Sequence, residues 1–323
     1  MPERAQRNRT LTCTEDERKC LAGGLARLTS TVTSDEIAGR LVLGDAFETV
    51  RFLPADFADL LILAPPPYNL TRNFGGRVFC RKSQSDFADW FRRLIEFLMP
   101  TLKVTAMVYV CWDWRTSMLI FPVLNGCLRI RNRITWEREK GRGAKSDWKN
   151  TTEDIWFCTV SDQYSFDVDA VKLKRRVTAP YRVNGVPKDW EQERGGKYRL
   201  THPSSNRTDI TVPFWSMREN TDHPTQKPEK LLAKLILTSS HPGDFVFDPF
   251  VSSGTTAVVA QKLQRFWCGV NFNEEYLCGA LKRLRRAKQE RSSQGYADGV
   301  FGRRNPAPGP SQRTIMAQKS IIE

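Results

Sequence analysis

The chain's 323 residues suit two domains, or one elaborated α/β domain, with ample material for a core. Lys and Arg number 50 against 36 Asp and Glu, and the resulting +14 charge and isoelectric point near 9.6 favour a polyanionic partner, because phosphates release counterions to such a surface. No apolar run approaches the roughly 20 residues that cross a bilayer, no N-terminal stretch resembles a signal peptide, and the cysteines form no C-x-x-C pair and no cluster with the histidines; the expectation is a reducing, cytoplasmic protein without a structural zinc site.

Residues 1–35 begin polar and turn weakly helical, with Leu21, Leu25 and Leu28 on one face, and read as an arm or peripheral helix. Leu41 to Leu43 predict a short strand ending at Gly44-Asp45, with a helical stretch through Phe47 and Val50 behind it. Leu60 to Leu63 predict a second strand, Phe87 to Leu98 a helix and Val104 to Cys111 a third buried strand. Between the second strand and that helix, Thr71 to Ser85 carries Gly75-Gly76, Arg77, Arg81 and Lys82; a loop closing over substrate and an ordinary surface loop both fit. Arg129 to Glu137 and Glu153 to Val160 predict an antiparallel pair, after which the pattern to about Pro213 is irregular, basic and rich in Gly, Pro and Tyr, as recognition loops are. Periodicity resumes at Pro228 to Leu237, where Pro228 suits a helix first turn. Strand Phe245 to Phe247, helix Thr255 to Leu263, strand Trp267 to Val270 and helix Glu274 to Arg286 then form a β-α-β-α unit. After Gln289 the chain collects Ser, Gly, Pro and Arg, and predicts a disordered tail.

Two distant segments carry the chemistry. Asp59 to Leu70 and Phe245 to Thr256 are each a short apolar run that stops in a turn, Ala64-Pro65-Pro66-Pro67-Tyr68-Asn69 in one and Asp248-Pro249-Phe250-Val251-Ser252-Ser253-Gly254-Thr255-Thr256 in the other. An α/β protein presents ligand groups in this way at the carboxyl edge of its sheet. A glycine turn opening a helix offers backbone amides to a carboxylate.

The order of these segments resembles the β-class S-adenosylmethionine-dependent DNA amino-methyltransferases of restriction-modification type, which methylate adenine N6 or cytosine N4. The resemblance covers roughly residues 38 to 286 and implies a Rossmann-like methyltransferase sheet in circularly permuted motif order. The implied organisation is an arm (1–35), a catalytic half (36–130), a β-pair with the inserted target-recognition region (131–215), a cofactor half (216–288) and the tail (289–323). Pro65, Pro66, Pro67 and Tyr68 match the catalytic turn, whose first side chain and following carbonyl take hydrogen bonds from the target amino group while the aromatic stacks on the flipped base. The cofactor positions map onto Asp45, which would meet the adenine amino group; His223, Pro224, Thr225 and Lys227 of His223-Pro224-Thr225-Gln226-Lys227-Pro228, which would line the methionine end; Asp248, Phe250, Ser252, Ser253, Gly254, Thr255 and Thr256 of the loop; and Asn271 and Asn273 after the next strand. Adenine is favoured because Tyr68-Asn69-Leu70 after the prolines looks like the adenine branch.

Three positions depart from the family pattern. Pro65 replaces the polar catalytic residue, and loss of one such preorganised partner costs about a hundred to a thousandfold in rate. Ser252 replaces a glycine, which predicts a strained left-handed residue at about 1–2 kcal/mol or an intrusion into ligand space. Asn271 replaces the acid that holds the ribose, weakening cofactor binding. A slowed enzyme and a catalytically silent DNA-binding homologue that partners an active enzyme both fit. Arg138, Lys140, Arg142, Lys145 and Lys149, interleaved with Trp136 and Trp148, are the expected DNA contacts, and Lys172 to Arg199 adds a second basic stretch with Tyr181, Trp190 and Tyr198. The resemblance implies double-stranded DNA as partner, together with a cognate restriction endonuclease and a second copy of the chain as further candidates.

Overall fold

The computed structural model describes residues 6–65, 72–74, 77–138, 146, 148–193, 195–290, 296–297 and 300–301. In chain order its main elements are α1 (Glu15–Ala22), β1 (Arg40–Leu43), β2 (Ala58–Leu63), α2 (Gln84–Leu98), β3 (Leu102–Trp112), α3 (Trp114–Cys127), β4 (Arg129–Glu137) and β5 (Thr152–Thr159). They are followed by β6 (Asn206–Arg207), α4 (Glu229–Ser239), β7 (Phe245–Asp248), α5 (Thr255–Lys262), β8 (Phe266–Asn271) and α6 (Glu274–Gln289). Among the described residues no helix is long and apolar enough to cross a membrane.

The eight strands form one sheet in the order β1-β8-β7-β2-β3-β5-β4-β6. From β1 to β3 every pair is parallel, and β5 lies antiparallel between β3 and β4. The alternation of side chains explains why these runs are apolar throughout. Leu60, Ile62, Met107, Tyr109 and Cys111 pack under α4, α5 and α6, whereas Leu61, Leu63, Val108, Val110 and Trp112 pack under α2 and α3. Strands covered on both faces need apolar residues at both phases of the pleat. The result is a three-layer α/β/α sandwich.

Most expected elements are present, and several expectations are corrected. Trp114–Cys127 is a helix that the periodicity does not announce, because Pro122 sits inside it and Trp114, Met118 and Phe121 are exposed. Pro122 cannot donate to the Met118 carbonyl four residues back, and Met118 is 61% exposed, so water can replace the lost bond. The expected antiparallel β-pair is present as β4 and β5, within the central sheet. Within the stretch read as irregular loops, Leu173–Arg176, Glu191–Glu193 and Gly196–Thr201 form a small antiparallel sheet. The tail is not wholly without structure: Tyr296–Ala297 and Val300–Phe301 join that small sheet beside Leu173, and Phe301 is fully buried against the core. Pro228, expected in the first turn of α4, is its N-cap.

Candidate active site

Parallel pairing places the ends of four strands on one rim. Leu43 is level with Asn271, Asp248 with Gly269, and Phe247 with Leu61, so Asp45, Asn271, the loop after Asp248 and the turn at Pro65 all leave the same edge. Chain order reverses between β7 and β2, the crevice where open α/β sheets bind ligands.

The loop after β7 is held largely by its own side chains. Asp248 is buried, and its carboxylate accepts from the Phe250 amide at 3.1 Å and the Thr256 hydroxyl at 2.6 Å. Burial pushes its pKa up to about 6 despite those bonds and the Lys227 charge. Gly254 has φ 77° and caps α5; a Cβ there would lie 2.5 Å from the Ala280 Cβ, so both the conformation and the space require glycine. Ser252 shows none of the strain expected of it, since the positive φ of this turn falls on Gly254. Behind the turn, the buried Arg283 guanidinium donates to the Ser253 carbonyl at 2.7 Å and to the Thr255 hydroxyl oxygen at 2.9 Å, and its other arm pairs with Glu229 at 3.0 Å.

The segment before α4 docks on this loop, because the Thr255 hydroxyl donates to the Lys227 carbonyl at 3.0 Å. His223 is buried edge-on to Tyr276, with ring centroids 4.5 Å apart. Burial, then the Lys227 and Arg283 charges, lower its pKa to about 4, so it is neutral at pH 7. Its Nδ1 accepts from the Thr225 amide at 3.3 Å, which puts the proton on Nε2 as a donor. Pro224 is exposed. Lys227 reaches across to β5 and pairs with buried Glu153 at 2.6 Å. A cavity of about 50 Å³ lies between the N-terminal arm and this segment, lined by Thr12, Cys13, Asp222, His223, Ser253 and Tyr276. The arm is fixed there by the Leu11–Thr221 bridge and by Lys282, which donates to the Thr12 carbonyl and pairs with Glu17 at 2.6 Å.

Asn271 is engaged at both ends of its amide. Its Oδ1 accepts from the Asn273 amide at 2.7 Å, and its Nδ2 donates to the Val251 carbonyl at 2.5 Å. Asn273 caps α6 through the Tyr276 amide, and Asp45 caps its own short helix through the Phe47 amide. These residues fit S-adenosylmethionine at two of its three parts. The His223 donor and the Asp222 acceptor suit an amino-acid head group, and Asp45 stands at the rim where the adenine is expected; at the position expected to hold the ribose, Asn271 offers no carboxylate and its amide is already bonded within the protein.

Pro65 is buried at the end of β2 and brings no polar side-chain atom to the rim. Pro66, Pro67 and Tyr68 lie outside the described residues, as do Lys140, Arg142 and Lys145. Of the other expected DNA contacts, Lys149 is exposed beside Trp148, itself 96% exposed, while Arg138 is turned toward Glu153 at 3.9 Å. Residue-by-residue reading missed Glu153, Glu219, Glu229, Lys262 and Arg283. Glu229 pairs with Lys262 at 2.7 Å as well as with Arg283, and Glu219, whose pKa burial and the Glu229 charge push up to about 8, accepts from the Glu229 amide. Helical Glu and Arg residues are common on solvent faces, and no local signal marks these as buried.

Comparison with known proteins agrees with this geometry. Residues 60–282 match the N6/N4 family described as "DNA methylase". The DNA adenine methyltransferase YhdJ of Escherichia coli K12 is 32% identical over 250 residues, covering 76% of this chain and 83% of the relative. The type II methyltransferase M.HpaI of Haemophilus parainfluenzae is 28% identical over 249 residues, covering 76% and 74%. Among solved structures, the cytosine-N4-specific PvuII DNA methyltransferase shares the fold with a TM-score of 0.58 at 16% identity, covering 81% of this chain and 92% of that one. A family match over residues 60–282, together with a relative 32% identical over 250 residues, means that the chain belongs to the N6/N4 DNA methylase family of S-adenosylmethionine-dependent methyltransferases.

Proposed function

We propose that this protein methylates adenine N6 at a specific sequence in duplex DNA, with turnover held down by its catalytic turn. The observation that carries the reading is the parallel register of β7 beside β2, which sets the loop of Ser252 to Thr256 next to the turn that begins at Pro65. S-adenosylmethionine supplies an electrophilic methyl group on a sulfonium. His223, Thr225 and the loop amides ahead of α5 would hold its methionine end, Asp45 its adenine, and Tyr68 would stack on the extruded base. The exocyclic nitrogen of the base needs acceptors for its hydrogens so that its lone pair can leave the ring; Pro65 provides none from its side chain, which leaves the backbone carbonyl that follows. Adenine is preferred over cytosine on the Tyr68-Asn69-Leu70 string and on the similarity to an adenine methyltransferase.

The test is methyl transfer from labelled cofactor to mixed-sequence duplex DNA, with the modified position sequenced. The unaltered chain is expected to transfer slowly to adenine, and Pro65→Asp to be faster by about a hundredfold. Transfer to cytosine would overturn the base assignment, and preference for RNA over duplex DNA in a salt series would overturn the substrate class. A second reading, a silent DNA-binding homologue partnering an active enzyme, is favoured by one observation, the commitment of both Asn271 amide atoms within the protein. It predicts DNA binding with transfer appearing only after Pro65→Asp. A restriction endonuclease and a second copy of the chain are the partners to seek in either case.

A further inference from the structure

We infer that Asn271 has exchanged a ligand-binding role for a positioning one: with Arg283 it clamps the cofactor loop from two sides, and this clamp is what seats Ser252 where the family has glycine. The argument starts from donor and acceptor identity. The Asn273 amide can only donate and the Val251 carbonyl can only accept, so the side chain between them must present oxygen to the first and nitrogen to the second. Asparagine satisfies both. An ionised aspartate or glutamate has no donor, and its second oxygen would face the Val251 carbonyl with like polarity.

On the far side of Ser252 the Ser253 carbonyl accepts from Arg283, which pairs in turn with buried Glu229. The carbonyls of the residues on either side of Ser252 are therefore each held by a side chain from a different element, Asn271 from β8 and Arg283 from α6. Val251 adds a packing stop, since its side chain lies against Gly269 so closely that a Cβ there would come within 2.7 Å. Ser252 sits partly buried between these anchors without entering the left-handed region. Loss of the family's acid at 271 and loss of its glycine at 252 are then one coupled change rather than two separate defects.

Hydrogen exchange of the full chain without ligand, followed by mass spectrometry, tests this. The readout is the exchange rate of the peptide spanning 249–256 relative to peptides from β2 and β3. Asn271→Asp restores the acid but removes the donor, and is expected to raise that ratio by about tenfold, the weight of one ordinary hydrogen bond. Arg283→Met is expected to do the same, with Arg283→Lys recovering part of the protection. A ratio unchanged in Asn271→Asp, including the case in which every peptide exchanges faster together, overturns the clamp. Calorimetry with S-adenosylmethionine gives a second readout that rests on the function proposed above: the clamp predicts that Asn271→Asp does not tighten binding, and tighter binding with an undisturbed loop would show that only a charge had been lost. If the unaltered chain binds no cofactor, the functional reading fails while the exchange ratio still decides the clamp.

Discussion

The described residues that open the two turns on the sheet rim differ in their polar bonding. After β7 nearly every polar side chain is bonded to the loop itself or to its supports: Asp248 to Thr256 and Phe250, Thr255 to Lys227, Asn271 to Val251, Arg283 to Ser253. After β2, half-buried Ala64 and buried Pro65 carry no polar side-chain atom to bond anything. The groups that hold a candidate ligand site together and the groups that would perform its chemistry are separable: the bonded framework after β7 is dense, while the position proposed for the first catalytic side chain, Pro65, carries no polar atom.

The strongest way to break the comparison is Glu229→Ala. It would leave Arg283 and Lys262 buried without their shared carboxylate, and unfolding by denaturant should show a loss of about 3–5 kcal/mol. A loss under about 1 kcal/mol would mean that the loop is not supported from this side. Next comes acid. His223 titrates near 6.5 when exposed and at about 4 in the fold, so the fold prefers the neutral ring; the stability it contributes is complete above pH 6.5 and declines toward pH 4, by roughly 3 kcal/mol in full. His223→Asn should flatten the stability profile across that window, and a profile as steep as the parent's would acquit the histidine. On the β2 side, the hundredfold rate gain of Pro65→Asp sharpens the contrast, because the same change should leave cofactor affinity nearly unmoved. The smallest effect is at the DNA surface, where Lys149→Ala should reduce the salt slope of DNA binding by about one phosphate contact.

Much of this was readable from residue order. The apolar runs at Leu60 and Phe245 announce buried strands, and the motif order places their turns together, because parallel strands covered on both faces leave little freedom in where their ends emerge. The helix Trp114–Cys127 was not readable, since an internal proline and three exposed apolar side chains erase its periodicity. The support of the loop was equally hidden. Arg283 lies 30 residues beyond Ser253 and 54 beyond Glu229, and contacts of that span leave no trace in a local window. Of the two alternatives expected at Ser252, strain is absent: a glycine-to-serine change strains the backbone only where φ is positive, and in this turn that burden falls on Gly254.

Phe301 lies well past the point where sequence composition suggests that a shortened version of the protein could safely stop. Its ring is fully buried and sits 5.0 Å from the ammonium of Lys234, a lysine that is itself only 1% exposed. Ending the chain at 289 would remove that ring together with its strand, opening a void beneath an interior cation and unzipping one border of the small sheet. Expression trials that trim the C-terminus for crystallisation should therefore keep residues through at least 301, and poor yield from shorter versions would trace to this missing aromatic plug rather than to the methyl-transfer machinery.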